Sequence, residues 1–191
     1  MKRPARTWFT ADQHFGHAAV INMCSRPFSS VDEMDREMIA AWNAAVAPDD
    51  IVYHLGDFSH KAKHDHVRGI FAALHGRKHL VIGNHDRQPA LQCSWEEAVQ
   101  MRGPVLDDVQ IVLCHYGMRT WPGQHRGALM LYGHSHGRLP GSRSTLDVGV
   151  DSVGYAPVDL PTIQARMAAL PRLAYDEGRL IDDEPADTLT L

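Results

Sequence analysis

Five short apolar runs punctuate this chain, and each runs into a polar group. Trp8-Phe9 leads to Asp12-Gln13-His14, Ile51-Val52-Tyr53 to Gly56-Asp57, and Leu80-Val81-Ile82 to Gly83-Asn84-His85-Asp86. Ile111-Val112-Leu113 leads to His115, and Leu129-Met130-Leu131 to Gly133-His134-Ser135-His136. The runs are rich in β-formers and too brief for helices, so they read as buried strands. Helix-period stretches lie between the first three. Ser30 caps the first with Glu33 completing a capping box, and Val31, Met34, Met38, Ile39, Trp42 and Val46 recur along one face. Pro48-Asp49-Asp50 then turns the chain into the second strand. The next helix runs near Ala62 to Leu74, with Val67, Ile70, Phe71 and Leu74 as its buried stripe and Gly76 as its stop. Alternating strand and helix implies a largely parallel sheet covered by helices on both faces. Such sheets bind ligands at the carboxyl ends of their strands, where all five polar groups fall.

From Val105 the pattern changes to strands separated by loops, with Asp107-Asp108 as a turn between apolar runs and Leu146 to Val150 alternating as a further strand. Pro161 suits the first turn of a last helix ending near Leu170. Asp182-Asp183-Glu184-Pro185 is acidic and poor in apolar residues, which predicts a peripheral acidic tail over 171–191 beside one domain over 1–170. At 191 residues one domain buries enough surface to fold without disulfides.

The formal charge of -4 gives no global basic footprint, so nucleic acid is not indicated as a partner by composition. Cys24, Cys93 and Cys114 are odd in number and lack CxxC spacing, which argues against a disulfide framework or a thiolate zinc site and for a reducing, cytoplasmic setting. Met1-Lys2-Arg3 is not followed by an apolar segment of the signal-peptide kind, and no uninterrupted apolar stretch approaches the ~18 residues that span a membrane. The expectation is a protein with no membrane partner, free to form a homo-oligomer. The anomaly of composition is thirteen histidines.

Side chains two apart on an extended segment share a side, so Asp12 with His14, and His134 with His136, can each present two donors to one cavity. Asp57 and Asn84 add oxygen donors, and the glycines before Asp57, Asn84 and His134 let the backbone approach a ligand closely. Imidazole with carboxylate suits manganese, iron, zinc or nickel, and seven donors suit two ions sharing a bridge. The ordered set D-x-H, G-D, G-N-H-[DE], H and G-H-x-H, running from about Thr7 to Leu170, resembles the calcineurin-like metallophosphoesterase family.

The resemblance implies an α/β fold, a four-layer-like α/β/β/α sandwich with largely parallel and mixed sheets. It also implies two divalent transition-metal ions, manganese foremost: Asp12, His14, Asp57 and His136 on one, Asp57, Asn84, His115 and His134 on the other, with Asp57 as the bridge. The implied reaction is hydrolysis of phosphomono- or phosphodiesters by in-line attack of a bridging hydroxide. His85 would contact the phosphoryl oxygen and protonate the leaving alkoxide, with Asp86 orienting its ring. The loop Phe15-Gly16-His17 and the run Cys24-Ser25-Arg26-Pro27-Phe28 resemble a small bacterial and phage subgroup, in which His17 or Arg26 would reach a substrate phosphate; a salt bridge is the plainer reading of Arg26.

Several residues read more plainly. His54 is expected as a hydrogen-bonded core or subunit-contact histidine, and His60, His64 and His66 as a solvated face beside the site. Arg119, Trp121, His125 and Arg126 lie on a loop that would overhang the metals and meet the leaving group, with Trp121 plugging the loop against the core as the alternative. Two other functions stay open. A nuclease on single-stranded nucleic acid would use Lys61, Lys63, Arg68, Arg77 and Lys78 if they share a face with the metals. A non-catalytic binding scaffold of the same fold would lack a ligand, and here none is missing.

Overall fold

The computed structural model describes residues 3–172, so nearly all of the expected tail over 171–191 lies outside the described residues. In chain order the first half runs β1 (Thr7–Thr10), α1 (Ala18–Met23), α2 (Val31–Ala45), β2 (Ile51–His54), α3 (His64–Ala73), β3 (Arg77–Val81), α4 (Gln88–Leu91) and β4 (Ala98–Val99). The second half runs β5 (Met101–Arg102), β6 (Val105–Leu106), β7 (Val109–Cys114), β8 (Leu129–Tyr132), β9 (Thr145–Asp147), α5 (Val150–Val153), β10 (Val158–Asp159) and α6 (Leu160–Ala168). The expected helices form as α2, α3 and α6, and Asp107 and Asp108, both at positive φ, make the tight β6–β7 turn.

Two sheets result. The first has the order β10-β1-β2-β3-β4, parallel except for β10; in the second β7, β8 and β9 are parallel, and β5 and β6 pair antiparallel with β7. Alternation along each strand sorts its side chains between layers. Trp8 and Val52 point outward into a core with Met34, Met38 and Trp42 of α2 and Val67, Ile70 and Phe71 of α3. Phe9, Tyr53 and Val81 point inward against Ile111, Leu113 and Leu131 of the second sheet, where Ile163 and Met167 of α6 join them. The outer face of the second sheet, Val112, Met130 and Tyr132, is closed by the loop that carries Trp121 and Ala128.

Two details depart from the sequence reading. The box at α2 is split: the Ser30 hydroxyl accepts from the Glu33 amide, while the Glu33 carboxylate accepts from the Ser29 amide. The strand expected from Leu146 to Val150 ends at Asp147, because the Asp147 carboxylate turns back to accept from the Gly149 amide at 2.7 Å and α5 starts at Val150.

Candidate metal centre

Register puts the ligands at one level. Thr10 pairs with His54 and His54 with Leu80, so Asp12, Asp57 and Asn84 leave the first sheet side by side. In the second sheet the Gly133 amide donates to the His115 carbonyl at 3.0 Å. An isolated parallel bridge between Ala11 and Gly149 joins the two sheets at this end. The loops are then zipped to one another, with the Asp12 amide on Gly56 O, the His14 amide on Asp57 O and the Phe15 amide on Phe58 O at 2.9 to 3.0 Å.

Backbone strain concentrates here. Among the described residues nine non-glycine positions have positive φ, and Asp12, His14, Asp57, His134 and His136 are five of them. A residue with a Cβ adopts this left-handed region at a cost, so the fold holds five proposed ligands in a conformation they would not choose. Gly133 is needed for a different reason: a Cβ there would come within 2.7 Å of Asp12 Oδ2.

The donors fall into two groups. Ligand atoms of Asp12, His14 and His136 lie within 4.8 Å of one another, and so do those of Asp57, His115 and His134. Asp57 Oδ2 stands between them, 3.5 Å from His14 Nε2 and 3.5 Å from His115 Nε2. The set has donors to spare. Asp12 Oδ1 and both ring nitrogens of His14 are buried without a hydrogen-bond partner, which in a protein interior costs ~1–3 kcal/mol per group unless a cation serves as the partner. His115 makes the same point by tautomer. Its Nδ1–H donates to Leu55 O at 2.7 Å, so Nε2 keeps its lone pair and faces two further acceptors, Asn84 Oδ1 at 3.0 Å and Asp57 Oδ2. Three acceptors converging on one point are the coordination chemistry of a cation, and the residues fit the metal pair that the motifs imply.

The charges agree. Burial, with the Asp147 and Asp57 charges added, holds the Asp12 carboxyl well above its usual range. Burial pushes Asp57 up too, but His115, the His85 amide and His14 outweigh it and keep it ionised. Burial drives His14 down to about 2, so it is neutral and able to ligate at any physiological pH. For His115 burial lowers the value, and Asp57 with the Leu55 carbonyl more than reverses it.

No protein-family profile matches the chain. The uncharacterized protein MJ1445 of Methanocaldococcus jannaschii is 30% identical over 166 residues, covering 83% of this chain and 89% of that protein. The chain belongs to one family with MJ1445, and its ordered set D-x-H, G-D, G-N-H-D, H and G-H-x-H resembles that of the calcineurin-like metallophosphoesterases. The gene 66 protein of Mycobacterium phage L5 is another relative, 28% identical over 184 residues that cover 78% of this chain and 88% of the phage protein. Among solved structures, the protein of unknown function AQ665 from Aquifex aeolicus superposes with a TM-score of 0.67 at 24% identity, over 85% of this chain and 100% of that one, and shares its fold.

The seven residues expected as ligands converge, and two other assignments change. Arg26 is buried, and its five N–H donors are all engaged: Nε and Nη2 on the Asp151 carboxylate at 2.8 and 2.7 Å, Nη1 on Gln13 O and Met34 Sδ, Nη2 on Asp12 O. None is left for a substrate phosphate, so Arg26 supports the loop that carries Asp12. Asp86 does not orient His85; its carboxylate accepts from the Gly83, Asp57 and Phe58 amides at 2.8 to 2.9 Å. Burial raises it to about 6, against the pull of those amides.

His85 is half-buried, with its ring 5.4 Å from that of His14, and its amide donates to Asp57 Oδ1 at 2.8 Å. His17 and His60 complete a row of rings, 4.5 Å from each other, with His60 4.2 Å from His85. His60 thus lies against the site, not on the solvated face expected of it. His66 instead reaches Asp35, which also accepts from the Gly16 amide. Of the basic residues, two do not share a face with the donors: Arg77 and Lys78 open β3 at the far end of the sheet, and Lys78 is buried, giving its protons to Leu74 O and Gly76 O.

The sequence reading missed two supporting carboxylates. Asp151 accepts from His136 Nδ1 at 2.7 Å and so turns Nε2 toward the centre. Asp147 accepts from the Ser135 hydroxyl at 2.5 Å and the Gly137 amide at 3.0 Å, fixing the loop between His134 and His136. Their spacing four apart was the available signal, obscured by reading Leu146 to Val150 as a plain strand. His54 is the hydrogen-bonded core histidine expected, 2.6 Å from Gln13 Oε1.

Proposed function

We propose that the chain is a binuclear metal-dependent phosphoesterase hydrolysing phosphomono- or phosphodiesters. The observation that carries this reading is Asp57 Oδ2, 3.5 Å from both His14 Nε2 and His115 Nε2, the position of a carboxylate shared by two cations. Asp12, His14, Asp57 and His136 would hold one ion, and Asp57, Asn84, His115 and His134 the other, with manganese first among the ions this donor set suits and iron, zinc and nickel as alternatives. When bound, such a pair supplies positive charge to phosphoryl oxygens and lowers the pKa of water toward neutrality.

The chain's own groups supply the rest. Asp151 and Leu55 O each hold one nitrogen of a ligating imidazole, His136 and His115, and so aim the other. Asp86 fixes the two loops that carry Asp57 and Asn84 against one another. His85, half-buried with its ring 5.4 Å from that of His14, would hold the proton that passes to the leaving oxygen. His17, lowered to about 4 by burial and the neighbouring His60, stays neutral at pH 7 and offers an N–H to a phosphoryl oxygen without a charge to repel the cations.

The test is hydrolysis of p-nitrophenyl phosphate and bis-p-nitrophenyl phosphate by metal-stripped protein re-supplied with manganese, nickel, zinc or magnesium, beside Asp57→Ala. Turnover restored by metal and missing from the variant is expected. Equal turnover by the variant would place the chemistry elsewhere.

A further inference from the structure

Because the Asp86 carboxylate is taken by three amides, His85 lacks the side chain expected to orient it. Among the described residues its imidazole makes no hydrogen bond; only its amide does, to Asp57 Oδ1. A ring held by no hydrogen bond keeps its choice of rotamers unless neighbours pack on it. Two rings pack on this one. His14, a proposed ligand, lies 5.4 Å away, and His60 lies nearer, with centroids 4.2 Å apart and planes at 65°. His17 packs on His60 as well, at 4.5 Å and 73°, and its Nδ1 is buried with no hydrogen-bond partner among the described residues.

The backbone holds His60 firmly enough to serve as a wall. Ser59 bridges Phe15, the His60 amide donates to Phe15 O at 3.4 Å, and Lys61 takes the left-handed turn at φ 55°. The two loops are pressed together, since a Cβ on Gly16 would fall 2.6 Å from Ala62 Cβ, and Asp35 fastens the His17 side through the Gly16 amide at 3.1 Å. Burial, with the charges of His85 and Lys61, lowers the His60 pKa, so the ring is neutral at pH 7 and packs on its neighbours without repelling them.

We propose that His60 is a positioning residue, whose ring holds His85 in the orientation from which it serves the leaving oxygen and steadies His17 in the same way. The proposal rests on the phosphoesterase reading and on the role of His85 within it. His60 acts through His85 and passes no proton itself. Without the His60 ring His85 is free to turn, and a misplacement of ~1 Å at a reacting group costs up to about 10²-fold in rate.

The test compares wild type, His60→Ala, His60→Phe, His85→Ala and the double variant His60→Ala/His85→Ala on phenyl and p-nitrophenyl phosphate esters, with metal content measured for each. His60→Ala should keep its metal and slow phenyl esters, whose leaving group needs the proton more, by up to about 10²-fold, with a much smaller effect on nitrophenyl esters. His60→Phe keeps a flat ring and should recover most of the loss. The double variant should be no slower than His85→Ala, because a residue that acts through another adds nothing once that other is gone. In the zinc-loaded protein, NMR of labelled histidine should show one fixed His85 rotamer in wild type and His60→Phe, and averaging in His60→Ala. Equal slowing of both ester classes, no change in His60→Ala, an additive double variant, or a His85 ring as fixed in His60→Ala as in wild type overturns the positioning role while leaving the phosphoesterase reading in place. Wild type that hydrolyses neither ester overturns both.

Discussion

Acidifying the metal-free protein should remove stability through His54. Its ring is fully buried, lies 5.3 and 5.8 Å from the rings of Phe58 and Trp95, and uses both nitrogens as a neutral imidazole: Nε2–H donates to Gln13 Oε1 and Nδ1 accepts from the Gly56 amide. A second proton would have to sit on Nδ1, against that N–H. Burial accordingly lowers the pKa from 6.5 to about 3. The unfolded chain takes up a proton near pH 6.5 that the folded chain refuses until about pH 3, so the unfolded state binds more protons across that window and stability falls as pH drops through it. From pH 7 to pH 5 the linkage amounts to about 2 kcal/mol for this one group. His14 and His17 are lowered by burial and act in the same direction, whereas Asp12, Asp86 and His115 are raised and act in the opposite one, so comparison with His54→Gln is what isolates the share of His54. Urea denaturation in the presence of a chelator at both pH values is the assay. Wild type should lose about 2 kcal/mol more than the variant; equal losses would refute the neutral buried assignment.

Arg26→Met should destabilise the protein by about 3–5 kcal/mol, since it leaves the buried Asp151 carboxylate without its counter-charge, and Arg26→Lys should recover only part of this because an ammonium cannot form the paired contacts. Urea midpoints measure both, and a wild-type midpoint for Arg26→Met would return Arg26 to the list of substrate contacts. His85→Ala should keep its metal content while slowing alkyl esters more than nitrophenyl esters, by roughly 10²–10⁴ for the poorer leaving groups. Equal slowing of both classes would remove the proton-donor role.

The sequence made the site legible because buried strands must be apolar and their ends need not be. Each of the five runs became a strand, and parallel register then brought groups as distant in sequence as Asp12 and His136 within ligating distance of one another. Caps and glycines placed α2 and α3 for similar local reasons. What stayed illegible was mutual geometry. Whether Arg26 faces substrate or Asp151 depends on the path of the loop after α1, and no local pattern encodes that path. Asp86 looked like the partner of His85 because they are adjacent, yet its carboxylate is taken by amides of two loops, one of them nearly thirty residues away in sequence. The alternation that suggested a strand through Val150 was overridden by a single side chain, Asp147, turning back on Gly149. His60 carried no signal at all, since its place beside His85 comes from the left-handed turn at Lys61 and the pairing of Ser59 with Phe15.

The central claim is one phosphoesterase centre built on Asp57 as a shared ligand, and the most direct measurement is turnover of bis-p-nitrophenyl phosphate as metal-stripped protein is titrated with manganese. Activity should rise to a plateau at two manganese ions per chain and stay absent from Asp57→Ala at the same manganese concentration. A chain that holds two manganese ions without hydrolysing any ester, or an Asp57→Ala variant that reaches the same plateau, would contradict the account.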